Sequence, residues 1–295
     1  MLIKDFFELT TDEHLVVSAG VDWITLTGDS QSSKERVGAF AMEMLEEGMC
    51  QGQKLHRTAR SGYQLSSVEG IQWGTGHSGW MVCLYGETAR KHWLPFYAYS
   101  KNCSRVDLQC TIAYRHYEPR IVEKLYREAL GGLSEEVASR MSFITSGQRG
   151  QTLYYGSRTS SQYGRVYDKW KQSKQSEQFD GCIRFEVEYK KPLSSRVAAD
   201  LCRDLPDASG ITGMVLNWFA HRGINGPAVY TSSDNELEVG RKETSLEAKL
   251  AWLKQSVRPT YRQLRLAGFQ TEVDEAIGVT ENIETINDEG AKEPL

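Results

Sequence analysis

Tyr154–Lys169 reads YYGSRTSSQYGRVYDK, and after a thirteen-residue gap Ile183–Lys190 reads IRFEVEYK. Both stretches alternate with period two, as strands do, and the turn-rich segment 156–162 separates a strand at Thr152–Tyr155 from one at Gly164–Asp168. In the first stretch Tyr163, Arg165 and Tyr167 share one face, with Gly164, Val166 and Asp168 opposite. In the second, Arg184, Glu186, Glu188 and Lys190 share a face, while Ile183, Phe185, Val187 and Tyr189 form the other.

Outward from these strands, helices and strands intermix. Val21–Thr27 and Arg105–Ala113 alternate as strands, and Gln72–Thr75 and Trp80–Tyr85 pair across the turn residues GHSG. Ser33–Glu47, Glu87–Trp93, Arg120–Leu130 and Leu193–Arg203 carry helical spacing, the third ended by Gly131-Gly132. Beyond residue 204 the pattern is helical, at Gly213–Arg222, Ser245–Gln255 and Thr260–Ala267. These elements predict an α+β fold with a central antiparallel β-sheet and flanking helices. The expected domains are an α+β unit over 1–204, a helical part over 205–270 and an acidic tail over 271–295. No internal repeat is visible.

With 295 residues, 40% of them hydrophobic and 25% charged, the chain has the make-up of a globular protein. No apolar run approaches the ~18–20 residues that span a bilayer. The N-terminal stretch MLIKDFFELTTDEH has acids where an export signal needs bases, so a cytoplasmic location and no membrane partner are expected. The six cysteines include no CxxC pair, which suits free thiols, and the six histidines form no His-x-His or His-Glu-x-x-His pattern. The net charge of −4 hides an uneven distribution. Residues 271–295 hold eight acids against one lysine, whereas 139–200 hold eleven Lys and Arg against six acids. The basic charge therefore surrounds the tyrosine segment, which suits a phosphate backbone as well as a solvated basic face.

Two chemistries fit these patterns. In Arg105-Val106-Asp107-Leu108-Gln109 the polar residues share one strand face. If that strand neighbours Ile183–Lys190, Asp107, Glu186 and Glu188 gather beside Arg105 and Arg184. Such carboxylates suit a hard divalent ion, Mg²⁺ or Mn²⁺, and suit equally a set of cross-strand ion pairs. Likewise a tyrosine-rich strand serves sheet packing, or supplies a phenol that attacks phosphorus once activated from its ordinary pKa near ~10. Spacing alone leaves both pairs of readings open.

YYGSRTSSQYGRVYDK resembles the signature of the replication initiation factor family, the trans-acting Rep proteins of rolling-circle plasmids, phages and integrative elements. There a Gly-Ser-Arg turn precedes an Arg-x-Tyr-Asn/Asp-Lys strand. Ser104-Arg105-Val106-Asp107 looks like the family's Arg-hydrophobic-Asp strand, and Ile183–Glu188 like its Arg-x-Glu strand. Weaker likenesses at Gly79–Trp93 and Trp252–Leu264 extend the resemblance to roughly residues 20–266.

The resemblance implies a DNA nicking-closing endonuclease that cuts one strand at a replication origin and forms a covalent 5′-phosphotyrosyl link. Carried over by position, Tyr167 is the nucleophile, assisted by Arg165 and Lys169, with Tyr163, Tyr155 and Tyr154 in reserve. Asp107, Glu186 and Glu188 become ligands of Mg²⁺ or Mn²⁺. Arg105, Arg158, Arg184 and Tyr163 become DNA or phosphate contacts. The implied partners are origin DNA with a single-stranded nick site, a host helicase and polymerase, and a second copy in a homodimer. One departure stands out: relatives carry an acid four residues after the Asp107 position, and Thr111 is here. Two alternatives remain, an origin-binding or regulatory protein without catalysis and a relaxase for DNA transfer. The helices at 245–267, with Lys249, Lys254, Arg258, Arg262 and Arg265, suit duplex contact or packing on the domain.

Overall fold

The computed structural model describes residues 3–100, 102–147, 150–227 and 268. The chain divides into two compact units, Met1–Asn235 and Glu236–Leu295. The expected helices Ser245–Gln255 and Thr260–Ala267 and the acidic tail 271–295 lie outside the described residues.

The first unit is built twice from one sequence of elements. After a short α1 (Ile3–Leu9) come β1 (His14–Gly28), α2 (Gln31–Cys50), a meander of β2 (His56–Arg60), β3 (Tyr63–Val68), β4 (Ile71–Gly76) and β5 (Gly79–Tyr85), and α3 (Gly86–Ala98). The order then recurs: β6 (Asn102–Tyr114), α4 (Ile121–Gly132) and α5 (Glu135–Ala138), then a second meander. That meander is β7 (Met141–Ser146), β8 (Gly150–Tyr155), β9 (Gln162–Asp168), a one-turn α6 (Lys169–Gln172) and β10 (Cys182–Lys190). It is followed by α7 (Leu193–Asp204) and α8 (Ala208–Ala220).

The ten strands form one antiparallel sheet, ordered β2-β3-β4-β5-β1-β6-β10-β9-β8-β7. Each half closes its last meander strand onto its first strand, and the halves join where β1 pairs with β6. The repeat is therefore one of topology, invisible in the residues. The architecture is α+β, with the central antiparallel sheet and flanking helices that the sequence pattern predicts.

Local chemistry explains the elements. Ser30 Oγ accepts from Ser33 N at 3.2 Å, capping α2, and Val37, Ala41 and Leu45 bury its inner face. The GHSG residues form the β4–β5 connection, with Gly76 opposite Gly79. β6 and β10 bury Val106, Leu108, Cys110, Ile112, Ile183, Phe185 and Val187 in the main core, where Ala198 and Leu201 of α7 and Val215, Leu216 and Phe219 of α8 also lie. Each such large side chain contributes about 1.5–3 kcal/mol on burial. Because α8 shares this core, the first unit runs past the expected boundary at residue 204.

The pairing of β1 with β6 slips at three places, between Val16 and Ser18, Val21 and Trp23, and Thr25 and Leu26, and the second of these shapes the site. Val21 opposes Leu108 and Trp23 opposes Asp107, so Asp22 is an extra residue in β1. This bulge lets Val21 and Ile24 both enter the core while Trp23 turns to the opposite, polar face.

Candidate active site on the polar face of the sheet

The polar face is assembled by register. β6 and β10 are neighbours, with Asp107 opposite Glu188, Gln109 opposite Glu186 and Thr111 opposite Arg184. β9 adds Tyr163 opposite Glu188, Arg165 opposite Glu186 and Tyr167 opposite Arg184. Residues directly opposite in an antiparallel pair point the same way. Asp107, Glu186, Glu188, Arg105, Arg184, Arg165, Tyr163 and Tyr167 thus occupy one surface spanning three strands. Gly164 faces the helices, where an added Cβ would stand 2.3 Å from Trp218, so the glycine lets α8 press against β9.

Tyr167 is 9% exposed, and its hydroxyl donates to Glu186 Oε2 at 3.4 Å. Glu186, 2% exposed, also pairs through Oε1 with Arg165, whose guanidinium lies 5.8 Å from the Tyr167 ring centre. Burial holds the Tyr167 phenol well above its ordinary value; Glu186 adds to this, and Arg184 and Arg165 oppose it. A proton acceptor already stands beside the phenol.

Arg105 grips Asp107 with two hydrogen bonds, Nε to Oδ1 at 2.8 Å and Nη2 to Oδ2 at 2.5 Å. The same Nη2 reaches Glu188 Oε2 at 3.0 Å, and Lys190 Nζ meets Glu188 Oε1 at 2.8 Å. Arg105 also stacks 4.8 Å from the Trp23 ring. The Asp107 carboxyl is pushed up to about 7, chiefly by burial, with Glu186 and Glu188 adding and Arg105 opposing. A cation position therefore exists between Asp107 and Glu188, and the arginine nitrogen fills it. Among the described residues no three carboxylates converge as a ready metal cluster. The all-oxygen donors suit a hard divalent ion, which would have to displace Arg105.

Thr111 stands where the resemblance expects an acid, and it holds Arg184. Its Oγ1 accepts from Arg184 Nε at 2.8 Å and donates to Gln109 Oε1 at 2.9 Å. Arg184 continues to Asp22 Oδ1 at 3.5 Å, where Arg90 of α3 also binds at 3.2 Å. Asp22, Trp23 and Arg90 join the site although the sequence reading singled out none of them, and the bulge that places Asp22 emerges only in the pairing of β1 with β6.

The remaining sequence candidates are placed less uniformly. Lys169 heads α6, with Nζ 2.8 Å from Gln172 Oε1 and 4.9 Å from the Phe179 ring centre. Burial, with Arg184 nearby, lowers it to about 8. Tyr163 stacks on Tyr154 at 5.7 Å, and exposed Arg158 lies 6.0 Å from the Tyr163 ring centre. Tyr155 is on the opposite face against Trp218 of α8, away from the carboxylates.

The N-terminal half of the site comes from β1 and β6, the rest from β9 and β10. Residues 133–277 match the family described as "Replication initiation factor". No curated protein matches the chain. Among solved structures it is similar to the "Structure of Rolling Circle Replication Initiator Protein from Geobacillus stearothermophilus", at 18% identity and a TM-score of 0.49, covering 68% of this chain and 84% of that one. The matched segment, 133–277, carries Tyr167, Arg165 and the Glu186–Glu188 strand.

Proposed function

We propose that this chain initiates rolling-circle replication by nicking and rejoining one DNA strand at an origin, with Tyr167 as nucleophile. The observation that carries the reading is the Tyr167 hydroxyl set 3.4 Å from Glu186 within a face that also holds Arg165 and Arg184. In the forward step the Tyr167 oxygen attacks phosphorus and its proton passes to the Glu186 carboxylate. The bond from phosphorus to the 3′-oxygen breaks, and that oxygen takes a proton from water, leaving a free 3′-hydroxyl for a polymerase. In the reverse step a 3′-hydroxyl attacks the phosphotyrosine and the phenol regains its proton. The phosphodiester energy is conserved in the covalent link, so neither step consumes ATP.

The neighbouring cations match the charge that develops. Arg165, Arg184 and Lys169 lie near Tyr167 and Glu186 and would oppose the negative charge of a pentavalent phosphorus, which donors fixed before reaction stabilise most. Arg105 and Arg158, with the stacked Tyr163, suit the flanking strand. Asp107, Glu186 and Glu188 would hold Mg²⁺ or Mn²⁺, which when bound neutralises phosphate charge and sharpens phosphorus as an electrophile.

Denaturing electrophoresis of the protein with labelled single-stranded origin DNA and Mn²⁺ tests the reading. Wild type should yield a protein–DNA adduct and Tyr167→Phe none, while both retain DNA binding. An adduct formed by Tyr167→Phe would reject the assignment of this tyrosine. A second reading, an origin-binding protein that does not cut, is favoured by one observation: Tyr167 is only 9% exposed and every candidate carboxylate already has a basic partner. A supercoiled plasmid carrying the origin separates the two, since a binder leaves it supercoiled.

A further inference from the structure

A second basic feature opens on the same face, some distance from Tyr167. It is a cavity of about 430 Å³ whose lining includes Arg60, Arg105, Lys190, Lys191, Thr25 and Ser104, together with the segment 159–161 that follows the Gly-Ser-Arg turn. Four of its lining residues are cations and none is a carboxylate. Asp107 and Glu188 offset Arg105, and Glu188 offsets Lys190. Among the described residues Arg60 and Lys191 have no ion-pair partner, and both are exposed. A cavity with surplus positive charge and several hydroxyl donors is suited to phosphate oxygens.

Arg60 reaches this place for a local reason. It ends β2, an edge strand exposed along its whole length, and opposes Tyr63 across a two-residue turn in which Ser61 and Gly62 have φ of +50° and +82°. Tyr63 and Leu65 of β3 belong to the small apolar cluster with Met81, Cys83 and partly buried Trp23, on the polar side of the sheet. By register Arg60 shares that side, and Arg57, three residues earlier on the same strand, faces the other. No carboxylate occurs in the sequence from Gly48 to Val68.

The geometry of the sheet relates cavity and nucleophile. Lys190 is six residues beyond Arg184, the partner of Tyr167, along β10, or roughly 20 Å at ~3.3 Å per residue. At about 3.4 Å per stacked nucleotide this is about six steps of a strand. Between the two by register lie Tyr154 and Tyr163, stacked on each other, and Trp23, which packs against Arg105 of the cavity wall; these rings are surfaces for bases. We infer that this cavity is a phosphate site for the DNA strand running away from the nick, with Arg60 and Lys191 neutralising its backbone. This rests on the DNA-nicking reading but assigns a role to the N-terminal hairpin, which lies outside the matched family segment.

The experiment measures the affinity of the full chain for labelled single-stranded DNA of mixed sequence over a range of salt. Each phosphate neutralised contributes about 0.7 to the log–log slope on a single strand, so Arg60→Ala/Lys191→Ala should lower the slope by about 1.4. Arg60→Lys/Lys191→Arg should restore it, which a folding defect would not, and Arg57→Ala should leave it unchanged. A double variant with the wild-type slope overturns the inference and leaves the nicking reading standing. So does Arg57→Ala if it lowers the slope as much as Arg60→Ala, because the cavity would then have no special role. Wild type without affinity for DNA overturns both.

Discussion

The Tyr167 hydroxyl meets Glu186 Oε2 at 3.4 Å diagonally across the β9–β10 pair, because Tyr167 opposes Arg184 while Glu186 opposes Arg165. The proposed nucleophile, its acceptor and two guanidiniums are thereby held by one strand register. A slip of β9 by one residue would send Tyr167 and Arg165 to the core face and leave Glu186 and Arg184 behind. The proposed chemistry depends on that register more than on any loop.

Glu186→Gln removes the acceptor and keeps the shape. Adduct formation should slow by about 10²–10⁴-fold, the usual contribution of a positioned base. DNA affinity should hold or rise, since a negative charge is lost. Arg165 loses its charged partner, so folding stability should fall by about 1–3 kcal/mol. Single-turnover kinetics alongside urea unfolding checks both, and an unchanged rate would exclude Glu186 as the base.

Thr111→Val leaves the Nε of buried Arg184 without its 2.8 Å acceptor. The cost should be about 1–3 kcal/mol of stability, visible as a lower urea midpoint at constant m-value. If the Thr111→Val variant is as stable as wild type, Asp22 alone suffices to hold Arg184.

Lys169 gives a pH dependence whose sign is fixed by burial. Its native pKa is about 8 against an ordinary 10.5, so between these values the unfolded chain binds more protons than the native one. Stability should therefore rise with pH across that window, by an amount that Lys169→Met removes. Affinity for DNA should move the other way as the ammonium is lost. Urea unfolding and DNA titrations from neutral to alkaline pH read the two trends separately.

Metal removal tests the carboxylates. Chelation should stop adduct formation and leave DNA binding within a few fold, with Mn²⁺ restoring activity. Activity persisting under chelation would leave Asp107 and Glu188 as partners of Arg105 and Lys190 alone, and Glu186 as acceptor without a metal.

How far the sequence reaches is clear from particular elements. β6 and β10 alternate over seven or more residues with a strong apolar face, so period and face could be read directly, whereas β9 showed its period in Tyr163, Arg165 and Tyr167. β2 is exposed at every position and carries no apolar stripe, so nothing in HRTAR marks it as a strand. Its pairing to β3 exists only because the hairpin continues a sheet whose core is elsewhere. The doubled topology likewise leaves no trace, since the two halves share connection order and not residues.

Along the regular strands β9 and β10, and along β6 from Arg105, the sequence by itself determined which residues share a face, because side chains alternate where no bulge intervenes, and it carried the Tyr167 signature. Which faces meet was decided by the tertiary structure alone. Hydrogen bonding of β6 to β10 put Asp107 beside Glu188, and the bulge at Asp22 turned Trp23 toward Arg105. Closing the sheet across β1 and β6 carried Arg60 of the N-terminal hairpin to the cavity it shares with Lys190 and Lys191. Contacts between residues far apart in the chain are set by burying one apolar face of the whole sheet, and no local pattern encodes that.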